Sequence, residues 1–253
     1  MKRLHFTRCR TSLLAVLLAF SVAFVPVPSI SDTSSNSAAL LTTAQAAKKN
    51  TKNSFSLNEV PKYNGKASVV VHGNQLFYFA GKAKHQSFES YHKLDKLGRC
   101  GVAYANISID TMPTEKRGEI GQIRPSGWHT VKYSGVVDGN YLYNRCHLIA
   151  YCLTAENANK KNLITGTRYL NNEGMLPYET KTAQYIDKTK NHVLYRVTPV
   201  FKGSDLVASG VLMEAYSVED QGKGISFCVY CYNVQPGVAI DYATGDSHLR
   251  GKK

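Results

Sequence analysis

The residues best suited to chemistry are Arg145 and His147, in the run Tyr143-Asn144-Arg145-Cys146-His147-Leu148-Ile149-Ala150. A histidine can take a proton near neutral pH, and an arginine two residues before it supplies a fixed cation; the pairing suits phosphate chemistry. Hydrolysis of a phosphodiester asks for an activated water, positive charge on the non-bridging oxygens and help for the departing oxygen. His147 is the candidate base and Arg145 the candidate phosphate contact; a structural histidine and a surface ion pair are the plain alternatives. Asn162, Arg168, Asn171 and Glu179 follow closely. Asn171 offers a carbonyl oxygen of the kind Mg²⁺ accepts, an ion that keeps most of its waters and needs few protein atoms. The competing use of an asparagine there is a helix N-cap. Glu179 lies within about 80° of Asn171 around a regular helix, placed either to hold metal-bound waters or to face solvent.

These side chains need elements to carry them. The turn Asp138-Gly139-Asn140 precedes residues 141–145, whose pattern predicts a strand that delivers His147 at its end. A polar segment, 154–162, leads to Leu163-Ile164-Thr165-Gly166-Thr167. Residues 169–188 carry Leu170, Met175, Leu176, Tyr178, Ala183, Tyr185 and Ile186 at helical intervals, with Gly174 and Pro177 weakening or kinking the first half. Upstream, residues 67–71 and 75–80 around His72-Gly73-Asn74 predict a hairpin. Residues 87–100 predict a short helix or turn, and 101–109 a strand. Residues 114–127 form a loop of the length that often carries function, after which 128–133 re-enter the sheet. Downstream, 192–201, 206–217, 225–234 and 238–242 read as strands. The fold class expected is α+β, a mixed, mainly antiparallel sheet with an embedded ββα unit.

The chain has 253 residues and a net charge of +13, enough for one large domain and favourable for polyanionic partners. Residues 1–46 read as an export signal. Lys2, Arg3, Arg8 and Arg10 form the basic part, residues 13–25 an apolar stretch short for a bilayer, and Ala44-Gln45-Ala46 the cleavage site. Their removal takes away four basic side chains and Asp32, leaving +10. A flexible basic leader, 47–54, then precedes a single domain, 55–253, expected to be secreted, with no stable membrane insertion and no obligate protein partner. Five cysteines remain, Cys100, Cys146, Cys152, Cys228 and Cys231. Cys228-x-x-Cys231 alternates like a strand, which favours buried structural thiols over zinc ligation.

The set Asn144-Arg145-Cys146-His147, Asn162, Asn171 and Glu179, with Pro125-Ser126-Gly127-Trp128 upstream, resembles the active-site pattern of the DNA/RNA non-specific endonucleases with a ββα-metal core. Asn-Arg-x-His-Leu-Ile-Ala and Thr165-Gly166-Thr167-Arg168 are most similar to the secreted streptococcal deoxyribonucleases. The resemblance runs over about residues 91–242. It implies a secreted endonuclease acting on DNA, and on RNA as a second substrate, with one Mg²⁺ that Mn²⁺ or Ca²⁺ could replace. By it, His147 is the general base, Asn171 the direct metal ligand, Glu179 a holder of metal waters and Arg145 a transition-state contact. Asn162 and Arg168 are implied as site-supporting and phosphate-binding residues. The broader family has Asp-Arg-Gly-His where this chain has Asn144 and Cys146. Two other readings compete: a thiol hydrolase using Cys146 or Cys152 with His129 or His147, and a basic DNA-binding or uptake protein that does not cut.

Overall fold

The computed structural model describes residues 55–77 and 85–251. The expected signal and leader, and residues 78–80 of the expected hairpin, lie outside them. In chain order the strands and helices are β1 (Ser68–Val70), β2 (Phe88–Tyr91), β3 (Ala103–Ile107), β4 (Tyr143–His147), α1 (Tyr151–Thr154), β5 (Leu163–Thr167) and α2 (Leu176–Thr189). β6 (Val193–Val200), β7 (Gly210–Ser217), β8 (Ser226–Tyr232), β9 (Val238–Ile240) and β10 (Ser247–Leu249) complete the domain. No helix among the described residues is long and apolar enough to cross a membrane.

Period-two patterning builds the centre. Val211, Met213 and Ala215 of β7, with Phe227, Val229 and Cys231 of β8, enter one core cluster, while Leu212 of β7 and Cys228, Tyr230 and Tyr232 of β8 enter a second. Strands apolar on both faces need cover on both. Among the described residues six strands pair antiparallel in the order β1-β8-β7-β6-β3-β2. One face receives Ile186 of α2 and Leu148, Ile149 and Leu153 from the chain around α1. The opposite face is closed by Phe55, Leu57, Val60 and Phe77.

On the first face β4 and β5 pair antiparallel, with Arg145 opposite Thr165 and His147 opposite Leu163. The helix predicted over 169–188 forms, with one departure from regularity: Leu170–Met175 is a π-turn leading into α2, and the Leu176 N–H bonds the Asn171 carbonyl. Pro177 has no N–H to return to the preceding turn, so the ladder widens there. The α+β class and the ββα unit are as expected.

The hairpin is not. Ser68–Val70 pair with Val229, Tyr230 and Cys231 of β8. His72, Gly73 and Asn74 are all at positive φ, and residues 75–77, the described part of the expected return strand, join no strand. Paired with β8, β1 covers the edge that β8 would otherwise present. Residues 87–100 give strand β2 and a turn closed by Gly98 N–H on the Asp95 carbonyl. Residues 128–133 contribute one bridge, Lys132 to Tyr141; Trp128, Val131 and Tyr133 pack instead on a small cluster of Val137, Leu142, Tyr143 and Val238. β10 pairs with β9 and was not foreseen.

Candidate active site

Strand alternation sorts the two neighbours at the end of β4. Cys146 turns inward, buried, with its Sγ 3.5 Å from Met175 Sδ, while His147 lines a cleft of about 780 Å³. Space for Cys146 comes from across the ribbon: a Cβ on Gly166 would stand 2.6 Å from the Cys146 Cβ. The cysteine sits in ordinary strand backbone, so no left-handed conformation is required where the broader family has glycine. Burial, with the Glu179 charge adding to it, pushes the Cys146 thiol well above its ordinary range. A thiol facing the core and kept protonated is no nucleophile, which disposes of the Cys146 hydrolase reading.

The His147 ring is oriented by a backbone contact. Nε2 lies 2.9 Å from the Asn157 carbonyl oxygen, which can only accept, so Nε2 carries the proton and Nδ1 is the basic nitrogen. Arg117 Nη2 lies 3.5 Å from Nδ1. Burial lowers the His147 pKa to about 4, the Asn157 carbonyl opposing this and the Arg117 charge reinforcing it. The imidazole is therefore neutral at physiological pH.

Arg117 was missed as a site residue. It lies in the 114–127 loop, flagged for its length, but an isolated arginine in a loop carries no periodicity to single it out. Its charge also reaches Glu179, a buried carboxyl pushed up to about 8 by desolvation, with Arg117 pulling the other way. Arg117, Arg145, His147, Arg168, Asn171 and Glu179 all line the one cleft.

The remaining expected residues divide. Asn171 stands in the π-turn and donates Nδ2 to Asn172 Oδ1 at 3.0 Å; among the described residues its own Oδ1 accepts no hydrogen bond. With the Glu179 carboxylate this makes an oxygen-only donor set, which fits a hard divalent ion. Arg145 lies over the Trp128 ring at 4.1 Å and donates Nε to the Ile123 carbonyl and Nη2, at 2.6 Å, to that of Gly121. It thereby ties the loop to β4 and leaves Nη1 for other partners. Arg168 donates Nε to the Asp138 carbonyl at 3.1 Å and lies close over Gly139, where a Cβ would meet its Nη2 at 2.7 Å. Asn162 does not belong to the cleft. Fully buried, it spends both ends of its amide on the Ile149 backbone, accepting from N and donating to O at 2.9 Å each. These two bonds fix the chain just after His147. Cys228 and Cys231 are buried, as read from the sequence; they and Cys100 are free thiols.

Comparison with known proteins places the chain in a family. The profile of the family described as DNA/RNA non-specific endonuclease matches residues 80–219, more than half of the chain, a span holding Arg117 and every cleft residue named above. The fold is similar to that of NucA from Streptococcus agalactiae with magnesium ion bound: 26% identity, 72% of this chain and 87% of that one covered, TM-score 0.63. With no metal bound, NucA matches over 84% of this chain and all of its own, at TM-score 0.66. The Sda1 nuclease with bound zinc ion is 30% identical over 65% of this chain and 82% of its own, at TM-score 0.55. With the ββα unit, the cleft and the family match in agreement, the chain belongs to the DNA/RNA non-specific endonuclease family and is a nuclease, a hydrolase of nucleic acid.

Proposed function

We propose that the protein is a secreted, Mg²⁺-dependent, sequence-tolerant endonuclease that hydrolyses DNA, and RNA as a second substrate, to 5′-phosphate products. The observation that carries this reading is the unprotonated Nδ1 of a buried, neutral His147, opening on a cleft that also holds Arg117, Asn171 and Glu179. Asn171 would hold the divalent ion through Oδ1 and Glu179 would hold its waters. When bound, the ion supplies positive charge to the phosphate and to the departing 3′ oxygen. The oxygen-only donors favour a hard divalent ion, the class to which Mg²⁺ belongs.

His147 takes a proton at Nδ1 from the water that attacks phosphorus, while the Asn157 carbonyl holds the Nε2 proton and so the correct tautomer. Arg117 and the remaining Nη1 of Arg145 offset charge gathering on the phosphate oxygens. Arg168, farther along the cleft, grips the backbone. Three arginines reading phosphate and none positioned by a base-specific partner give little sequence preference. Secretion is supported by the signal-like pattern of residues 1–46.

Plasmid and linear DNA, and RNA, incubated with purified protein in Mg²⁺ or EDTA, with His147→Ala beside it, test the reading. Cleavage only in Mg²⁺, leaving 5′-phosphate ends and lost in the variant, is expected. A gel shift in Mg²⁺ with no shortening would return the DNA-binding reading to first place.

A further inference from the structure

Away from the cleft, three potential ligands converge at one end of the large sheet. His85 precedes β2, His192 precedes β6 and Glu219 follows β7. The antiparallel order brings the start of β2, the end of β3, the start of β6 and the end of β7 to the same side, through Phe88 opposite Asn106, Ile107 opposite Val193 and Val193 opposite Ser217. Both ring Nδ1 atoms face one oxygen: Glu219 Oε1 is 3.3 Å from His85 and 2.6 Å from His192. All three ligand atoms lie within 4.8 Å of one another.

The group is held as a metal site needs its outer partners to hold it. The His192 backbone N–H donates to Glu219 Oε2 at 2.7 Å, which fixes the carboxylate and leaves Oε1 aimed at the rings. The Val218 N–H on the His192 carbonyl, at 2.9 Å, locks the two segments together. The chain carrying His85 is tethered next door by Asn106 Nδ2 on the Gln86 carbonyl at 2.9 Å and by the Ser87–Ser108 hydroxyl pair at 2.7 Å.

We infer that His85, His192 and Glu219 form a metal site for Zn²⁺, or an ion of the same borderline class, which fastens the start of β2 to the β6–β7 end of the sheet. Ligand atoms at bond lengths of about 2.0 Å on a tetrahedral ion stand about 3.3 Å apart. The His85–Glu219 separation already has that value, and the His192 contact opens by less than an ångström. Two imidazoles select against Mg²⁺ and Ca²⁺, which take oxygen. The His85 side chain, 70% exposed, leaves the fourth corner to water. None of the three residues lines the cleft, so this ion is separate from the catalytic one.

The test uses purified full-length protein, stripped with a chelator and dialysed, then titrated with Zn²⁺ and with Co²⁺, whose tetrahedral complexes absorb strongly in the visible. Wild type is compared with His85→Ala, Glu219→Gln and Asn171→Ala, with metal-free melting curves checking that each variant folds. His85→Ala and Glu219→Gln are expected to bind one equivalent less, or at least about tenfold more weakly. They should also lose the tetrahedral Co²⁺ band and the rise in melting temperature with Zn²⁺, while Asn171→Ala keeps the Co²⁺ band and that rise. Wild-type stoichiometry together with wild-type affinity in both His85→Ala and Glu219→Gln overturns the inference. So does a Co²⁺ band that survives His85→Ala and vanishes in Asn171→Ala, since that places the ion in the cleft.

Discussion

Arg117 Nη2 lies 3.5 Å from Nδ1 of His147, so the ring nitrogen left unprotonated by the Asn157 carbonyl faces a permanent cation. The guanidinium thereby adds to the burial that keeps the base deprotonated, and in the proposed mechanism it would also meet the charge that develops on phosphate. Arg117→Ala is expected to lower the single-turnover cleavage rate about 10² to 10³-fold. Arg117→Lys should recover only part, because the planar fork is lost. Cleavage of a defined duplex at saturating enzyme measures both, and a wild-type rate in Arg117→Ala would remove Arg117 from the mechanism.

The pH profile follows from the same contact. The active form of His147 is neutral, and its folded pKa is about 4 against an ordinary value of about 6.5. kcat/KM should therefore hold its value as pH falls through 6 and drop only near 4. In Arg117→Ala the acid limb moves to higher pH, since a charge that lowers the pKa is gone. The linked stability has a definite sign: between the two values the unfolded chain binds more protons, so stability rises with pH through that window. An acid limb centred near 6.5 in the wild type contradicts the buried, cation-flanked base.

Glu179 behaves in the opposite sense. Its folded pKa, about 8 in the metal-free protein, is above its unfolded value, so the folded state binds more protons between them. Its stabilising contribution is complete at low pH and is lost as pH rises toward 8. His147 contributes little above about pH 7.5, and comparison with Glu179→Gln isolates Glu179. Melting curves in EDTA should show stability falling from pH 6.5 to 8.5, with the decline flattened in Glu179→Gln. A flat wild-type curve over that range would count against a buried, protonated Glu179.

Asn162→Ala should strike stability rather than chemistry. It leaves the buried Ile149 N–H and carbonyl without the partners they now have, at a cost of about 1 to 3 kcal/mol for each group. Urea unfolding reads the loss. KM for DNA, measured well below the melting temperature, should stay near the wild-type value; a large rise in KM at full folding would restore a substrate contact.

Arg168 should appear in the salt dependence. Each phosphate contact contributes a slope of about −0.9 to log K against log salt on duplex DNA. Arg168→Ala, assayed for binding in Ca²⁺ or with His147→Ala to suppress cleavage, should reduce the slope by about one. An unchanged slope would mean that the Arg168 guanidinium, already bonded to the Asp138 carbonyl, makes no phosphate contact.

Local pattern by itself determined the strands β3, β4 and β6 to β9, the helix after Thr167, and the chain order of His147, Asn171 and Glu179. Each rests on short-range periodicity or on a turn residue at a fixed offset, which a sequence displays directly. Gly174 and Pro177 announced an irregular first helical turn, and the structure makes it a π-turn holding Asn171. What neighbours each residue across the fold was decided only in three dimensions. β1 paired with β8, whose edge it covers. Arg117 came from a patternless loop to meet His147. Asn162 went inward because the Ile149 backbone needed both its donor and its acceptor. His85, His192 and Glu219, scattered through the chain, met because antiparallel pairing returned three strand ends to one side. Long-range pairing is chosen by the summed burial and hydrogen bonding of the whole sheet, and no window of sequence contains that sum.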